Sequence, residues 1–432
     1  MSTLSSSGTS SEASLPPQDT DTFTPVEASL GEVARYFTRL GFIAFGGPAA
    51  HIAMMQRDLV EQKRWLSQQQ FLDTLAATQL VPGPNSTELA IHMGYIKKGI
   101  PGLIVAGLCF ILPAFMLVTL IALMYVAFGA LPQVDALFYG IQPVIVAVVV
   151  QAAYKLGLTA CRTLAMIVLA VVGALVTLFV PIDTVWVILG GGLIGVLLMF
   201  GARLRNAPAA LLLLLPGGAG LTAAALAQSE TTVAPLWQIG LFFLKVGATL
   251  MGSGYVLVSY MEHDLVTSGW LTRQQVLDAI AAGQITPGPV FTTAAFVGYV
   301  NQAGLDNNIG AGVLGAAVCA IGIFLPSFII VLLIAPWILR LRESKIAGSF
   351  LDGVNAAVVG SIAATTWTLF LTAAIDLPAP TLAVPVAGVG LDIPALLLFG
   401  VSAFVLLRFP KVNSVTLIVA GAAAGLLLQG VL

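Results

Sequence analysis

The sequence predicts an all-α polytopic membrane protein made of two homologous inverted-topology repeats, each containing broken or re-entrant helical hairpins. Three observations carry that prediction: a composition too apolar for water, an internal duplication, and a Lys/Arg bias that reverses between the copies. Of the 432 residues, 58% are hydrophobic and 9% charged, with 18 basic against 20 acidic side chains. Soluble domains carry about 25% charged residues, so these few charges could not cover a soluble fold of this length. The mean hydropathy of +0.98 agrees. A net charge of −2 excludes a basic nucleic-acid binder.

The chain opens differently. Residues 1–30 are rich in Ser, Thr, Asp, Glu and Pro and contain no Lys or Arg. A secretory signal needs a positive start followed by an apolar core, so a disordered polar tail is expected over residues 1–32. Cys109, Cys161 and Cys319 are isolated, and His51, His92 and His263 are scattered. Neither set has metal-site or disulfide spacing, and no cofactor is expected. No Walker A sequence supports an ATP-driven pump.

The duplication follows the tail. Gly41 and Gly46 match Gly247 and Gly252 at one offset (247 − 41 = 206), and Asp58-Leu59-Val60 matches Asp264-Leu265-Val266. After one deletion, Trp65-Leu66 matches Trp270-Leu271, and Pro82-Gly83-Pro84 matches Pro287-Gly288-Pro289 (287 − 82 = 205). Leu112-Pro113 then matches Leu325-Pro326, and Gly140 matches Gly353 (353 − 140 = 213). The expected organisation is a first repeat at 33–205, a connecting transmembrane helix and loop at 206–232, and an inverted second repeat at 233–432. Many transporters are built from such repeats.

Lys and Arg beside short loops mark the cytoplasmic side. In the first repeat Arg57, Lys63, Arg64, Lys97 and Lys98 lie by the two early loops. In the second repeat those loops read Glu262-His263-Asp264 and Asp306-Asn307-Asn308, with Arg273 as the exception, and Arg340, Arg342 and Lys345 come later. Opposite orientation needs an odd number of crossings between the copies. Five apolar segments of spanning length supply it, at 101–127, 134–154, 163–181, 185–202 and 208–227. Four more follow at 309–338, 350–375, 385–407 and 413–431. The segments 36–56, 70–96, 236–259 and 276–300 are each interrupted by Gly or Pro. As re-entrant pairs they leave the basic clusters inside, with a cytoplasmic N-terminus and an extracytoplasmic C-terminus. Ordinary Pro-kinked membrane helices are the alternative.

Charged residues inside apolar segments are functional candidates. Arg39 and its repeat partner Lys245 (245 − 39 = 206) each precede a glycine break. Converging, two cations would suit a dianion; snorkelling to the interface is the other reading. The breaks Gly46-Gly47-Pro48 and Gly252-Ser253-Gly254 allow close backbone approach to an anion at a helix N-terminus. Pro82-Gly83-Pro84 stops one helix, and Asn85-Ser86-Thr87-Glu88 reads as a cap opening the next, with Asn85 as N-cap and Glu88 at the third position. Thr292 stands where the second repeat matches Thr87. Glu88 and His92 are spaced to share a helix face. They read as a proton relay or gate, or as a cap acid plus an interface histidine. Asp73 and Asp278 read as structural hydrogen-bond acceptors, and Trp65 and Trp270 as interfacial anchors.

These stretches carry a resemblance. Phe45-Gly46-Gly47-Pro48-Ala49-Ala50-His51-Ile52-Ala53-Met54-Met55 and Gln79-Leu80-Val81-Pro82-Gly83-Pro84-Asn85-Ser86-Thr87-Glu88 resemble the chromate ion transporter family in its long two-domain form. Gly252-Ser253-Gly254 and Thr286-Pro287-Gly288-Pro289 extend the likeness through nearly everything after residue 35. The resemblance implies a multi-pass protein of the bacterial inner membrane that exports chromate from the cytoplasm and confers chromate resistance. The expected partners are chromate, its analogue sulfate, the lipid bilayer and, in a homodimer, a second copy. Membrane potential alone could drive export; proton coupling is compatible with it. A sulfate or oxyanion importer and an anion channel are the alternatives, and an enzyme would need a nucleophile–base pair that is not found. Val290-Phe291 replaces Asn85-Ser86 in the second repeat, so the two Pro-Gly-Pro breaks need not bind alike.

Overall fold

The computed structural model describes residues 25–79, 81–129, 131–201, 232–304, 307–334, 345–375, 383–386, 389–409 and 412–428. Regular structure there is helical apart from one antiparallel hairpin, Ala383–Val386 (β1) with Val389–Asp392 (β2). The crossing expected at 208–227, Arg340 and Arg342, and residues 1–24 lie outside the described residues.

The first repeat begins with α1 (Leu30–Ile43) and α2 (Gly47–Met55), which runs on as a π-helical turn, Gln56–Gln62. Next come α3 (Gln68–Thr78), α4 (Asn85–Phe128), α5 (Pro132–Ala160), α6 (Leu164–Phe179) and α7 (Thr184–Gly201). The second repeat follows the same order. It has α8 (Leu236–Thr249), α9 (Val256–Tyr260) with its own π-helical extension Met261–Val266, and α10 (Arg273–Ile285). A 3₁₀ turn, Val290–Thr292, then leads into α11 (Thr293–Ala303), followed by α12 (Ile309–Ile334) and α13 (Lys345–Ile375). The β hairpin precedes α14 (Ile393–Arg408) and α15 (Ser414–Leu428).

Local sequence explains the starts and stops. Ser29 and Glu32 form a capping box that begins α1, so residues 25–32, expected in the tail, belong to the folded protein. Ser67 with Gln70 and Thr272 with Gln275 form the same box at α3 and α10. α4 is two helices in effect, because Lys98 (φ −140°) and Gly99 (φ +58°) break it before Pro101. Its outer arm exposes Ile100, Ile104, Leu108, Leu112, Met116, Leu120, Met124 and Phe128, one every four residues. Such a continuous apolar stripe is a lipid-facing surface. α5 and α12 have 29 and 26 residues, roughly 44 and 39 Å at 1.5 Å per residue. Both exceed the ~30 Å hydrocarbon core. Among the described residues, α4, α5, α12 and α13 are long and apolar enough to cross a membrane, by length and composition.

The repeats are intertwined. α5 packs against α14 and α15 from the other repeat, and α13 packs against α6 and α7. Small residues permit both contacts. A Cβ on Gly140 would come 2.7 Å from the Gly425 nitrogen, and one on Gly353 would come 2.8 Å from the Gly195 Cα. The exchange continues at the centre. Gly83 N–H donates to Leu250 O at 2.7 Å, and Gly288 N–H donates to Ala44 O at 2.9 Å. These four residues are repeat partners (288 − 83 = 205; 250 − 44 = 206). Each Pro-Gly-Pro break is thus pinned to the glycine break of the other repeat.

Trp65 departs from expectation. It is buried beside Tyr36, with ring centroids 5.8 Å apart, rather than standing at an interface. The expected hydrogen-bond acceptors do form. Asp278 is buried and accepts from Tyr125 Oη at 2.9 Å and Gln142 Nε2 at 3.0 Å. Asp73 accepts from Gln69 Nε2 at 2.8 Å.

Candidate functional site

Four chain breaks meet around one cavity of about 120 Å³. The first repeat contributes Pro48 from the first turn of α2, then Gly83, Pro84, Asn85 and Ser86 at the start of α4. The second contributes Gly252, Ser253 and Gly254 before α9, and Pro289, Val290 and Phe291 before α11. These are helix beginnings. A first turn leaves its N–H groups without intrahelical partners, and its dipole places about half a positive charge at the N-terminus. Among the described residues, no charged side chain lines the cavity. Its positive character comes from backbone, an amide and hydroxyls.

The backbone must turn sharply to make this arrangement. Gly83 has φ +137° and Gly288 has φ +90°, values open to glycine and costly for other residues. Asn85 does not cap α4 as the sequence suggested. Pro84 occupies the N-cap position, and its carbonyl accepts from Thr87 N at 2.7 Å and Glu88 N at 3.0 Å. The Asn85 side chain therefore has no cap to serve and stands in the cavity wall.

Ser86 is held from behind by His51, which the sequence reading did not single out as a site residue. His51 is fully buried. Its Nε2 lies 3.1 Å from Ala44 O and its Nδ1 lies 3.1 Å from Ser86 Oγ. A carbonyl only accepts, so Nε2 carries the proton and the neutral ring's Nδ1 accepts from the Ser86 hydroxyl. Ala44 O thus takes two donors, one from each repeat. A signal for His51 did exist: its repeat partner is Leu257 (257 − 51 = 206), and that of Ser86 is Phe291 (291 − 86 = 205). The polar pair of one repeat is an apolar pair in the other.

The other expected site residues are dispersed. Gly46 and Gly47 form the turn before Pro48, with φ +102° and +75°, without lining the cavity. Thr87 and Thr292 are buried in the two first turns. Thr292 Oγ1 donates to Pro289 O at 2.8 Å, while Thr87 Oγ1 has no partner. His92 is buried one turn beyond Glu88, against Tyr95 with ring centroids 6.2 Å apart, and no hydrogen bond joins His92 to Glu88. The Glu88 carboxyl meets the Ser327 hydroxyl and bonds no charged group. Arg39 is exposed on α1.

Lys245 lines a second, wider cavity of about 470 Å³ with Asp183, His263 and Asp264. There it donates to Asp183 Oδ2 at 2.5 Å and Asp264 Oδ2 at 2.7 Å. The two expected cations therefore do not converge on the central cavity. Lys245 instead joins α8 to the π-helical turn of its own repeat and to the α6–α7 corner. Each pair is about one-third exposed on the lysine side, so each alone contributes little. Removing the cation, however, leaves two carboxylates facing one another. Lys245→Ala should lower the amount of folded protein, and Asp183→Asn added to it should return part of the loss. Loss of transport at an unchanged protein level, not relieved by Asp183→Asn, would put Lys245 back on the anion's path.

A pseudo-symmetric junction of broken helices inside an apolar helical shell is an arrangement that many membrane transporters share. The family follows from comparison. A chromate transporter family model matches residues 31–196 and 237–426, and the chain belongs to that family. It is 34% identical over 407 residues to a chromate transport protein of Cupriavidus metallidurans, covering 91% of this chain and 92% of the relative. A chromate transport protein of Pseudomonas aeruginosa is 32% identical over 96% of this chain and 97% of its own length. A probable chromate transport protein of Synechococcus elongatus is 33% identical over 81% of this chain and 87% of its own. No solved structure matches the chain.

Proposed function

We propose that the protein carries chromate, with sulfate as its close analogue, out of the cytoplasm across a bacterial inner membrane. The observation that supports this most is the central cavity, where four helix beginnings meet and no charged side chain intrudes. Dipoles and neutral donors around a point suit a small tetrahedral dianion, and they are spared the cost of burying fixed cations. Membrane potential acts at about 2.3 kcal/mol per charge per 100 mV, so a dianion gains about twice that on leaving an inside-negative cell. Export can therefore run on the potential, with Glu88 and His92 available for proton coupling. Vesicles holding labelled chromate, with the potential clamped in each direction, test the reading. Efflux should rise with an inside-negative potential and saturate with chromate. Uptake favoured under that potential would mean an importer, and flux without saturation would mean a channel.

The repeats are proposed to face opposite sides, with the N-terminus cytoplasmic and the C-terminus extracytoplasmic. Matched positions support this. Val26 N bonds Arg64 O at 2.9 Å, and Thr232 N bonds Gly269 O at 2.8 Å. Lys97 Nζ holds the Val26 carbonyl at 2.9 Å, whereas Asn301 Nδ2 holds the Thr232 carbonyl at 3.3 Å. The structural task is the same, and only the charge differs. Lys98 likewise becomes Gln302 (302 − 98 = 204). Charge retained at one end and removed from its counterpart is what opposite orientation requires. Single cysteines placed at Arg57 and at His263 should react with an impermeant thiol reagent from opposite sides. Reaction from one side would exclude the inverted arrangement.

A further inference from the structure

The two Pro-Gly-Pro breaks are alike in backbone and unlike in chemistry. At Gly83 the Glu88 carboxyl and Ser327 Oγ, each on a fully buried residue, meet with no partner beyond one another. One carboxylate oxygen and the hydroxyl flank one point, since a Cβ built on Gly83 would touch Glu88 Oε1 and lie 2.7 Å from Ser327 Oγ. Ser327 comes from α12 of the other repeat. Around Gly288 the partners of Glu88 and Ser327 are Thr293 (293 − 88 = 205) and Ala114 (327 − 213 = 114). Thr293 Oγ1 is satisfied by Val290 O at 2.7 Å, and Ala114 has no polar group. A Cβ on Gly288 would lie 2.9 Å from Ala114 Cβ, in the equivalent place. The second break thus shows what the fold needs, and the first has an acid and a hydroxyl beyond that need.

We propose that Glu88, Ser327 and the Gly83 turn form a site for one monovalent cation, a proton or a sodium ion, that is bound together with the anion. This rests on the anion reading of the central cavity, with which it shares Gly83. A buried carboxylate with no counter-charge is costly, and oxygen ligands beside unwound backbone suit a hard cation. The same carboxylate lies within the first turns of α4, where Asn85 and Ser86 meet the cavity. Ionised, it opposes a dianion there; neutralised, it does not. Each ligand therefore raises the affinity of the other by the same factor.

Among the described residues, no other group supplies the missing charge. α12 and α11, packed on α4, carry no Asp, Glu, His, Lys or Arg. α2 brings His51, committed to Ser86 and Ala44; α3 brings Asp73, bonded to Gln69; and α10 brings Asp278, bonded to Tyr125 and Gln142, along with Arg273, bonded to Glu262. α1 carries Glu32, Arg35 and Arg39, all exposed; α4 itself carries His92 one turn on, then Lys97, bonded to Val26 O, and Lys98, paired with Glu27. None of these bonds Glu88.

The test uses the full chain in liposomes, with chromate equal on both sides and the potential clamped at zero. A tenfold gradient of protons, or of sodium at fixed pH, is then imposed. The wild type should concentrate labelled chromate up to about tenfold in response to one of them, and the effective gradient identifies the cation. Glu88→Gln should lose that accumulation, whatever exchange it retains. Ser327→Ala should demand roughly tenfold more of the cation for the same effect. Accumulation by Glu88→Gln equal to the wild type, or wild-type exchange indifferent to both gradients, overturns the site. If the wild type exchanges no chromate, the anion reading fails instead. Thermal unfolding of purified protein then decides the cation site alone. Sodium against choline, or lower pH, should stabilise the wild type more than Glu88→Gln, and equal responses overturn it.

Discussion

Gly83→Ala is expected to abolish transport and to lower the amount of folded protein. Two costs add at this position. The first is backbone strain, because φ is +137° and an L side chain pays about 1–2 kcal/mol in positive-φ conformations. The second is crowding, because the new Cβ would fall between Glu88 and Ser327, 2.7 Å from the serine oxygen. Relief by shifting the turn would disturb the 2.7 Å bond from Gly83 N to Leu250 O, which holds the two repeats together at the cavity. Gly99→Ala is the control. It has φ +58° and nothing within 4 Å of the added Cβ, so it suffers strain alone. Transport per inserted molecule should fall at least tenfold further in Gly83→Ala than in Gly99→Ala, since about 1.4 kcal/mol is a factor of ten. Equal effects would mean that the space beside Gly83 has no role.

The fold was legible because its signals are local and repeated. Gly46, Pro82-Gly83-Pro84, Gly252 and Pro287-Gly288-Pro289 each stop a helix wherever they occur, and the duplication allowed each to be checked against its copy. α4 to α7 and α12 to α15 fall close to the apolar segments read from composition. What no local pattern announced is the exchange of helices between repeats. Gly140 and Gly353 are matched in sequence, but their partners, Gly421 with Gly425 and Gly191 with Gly195, lie in the opposite repeat. Which helix a small-residue face will meet is a tertiary choice that a single helix does not encode.

The site was legible in part, for a different reason. Asn85, Ser86 and Gly252-Ser253-Gly254, expected at an anion site because a helix start there needs short, polar or Cβ-free residues, do line the central cavity. Arg39 and Lys245 were drawn in by charge, yet Lys245 is held by Asp183 and Asp264. Asp183 is distant in sequence, and its pairing depends on how the α6–α7 corner packs. His51 and Ser327 were overlooked although their substitution by Leu257 and Ala114 in the matching repeat stood in the alignment. Matched residues drew attention; the informative positions were those where the copies disagree.

That disagreement yields the sharpest test of the anion site. Ser86 presents its hydroxyl at the cavity and donates it to His51 Nδ1 at 3.1 Å when the ring is neutral. A dianion is a stronger acceptor than imidazole, because charge-assisted hydrogen bonds are about twice as strong as neutral ones. The hydroxyl should therefore turn to the anion on binding. Losing a hydrogen bond to a charged group costs about 1.5–3 kcal/mol, so Ser86→Ala should weaken chromate affinity roughly ten- to a hundredfold. Phe291→Leu, at the matching apolar position, should leave it within a few-fold. Ser86→Ala also strands the buried His51 Nδ1, and an unsatisfied buried polar group destabilises by about 1–3 kcal/mol. A second substitution separates binding from folding. His51→Leu with Ser86→Ala copies the apolar character of Leu257 and Phe291, so it should restore the amount of folded protein lost by Ser86→Ala. Chromate transport should stay impaired, with the loss expressed in KM. A double variant that transports with wild-type KM would remove the Ser86 hydroxyl from the anion site and leave the backbone of the four helix beginnings to hold the dianion unaided.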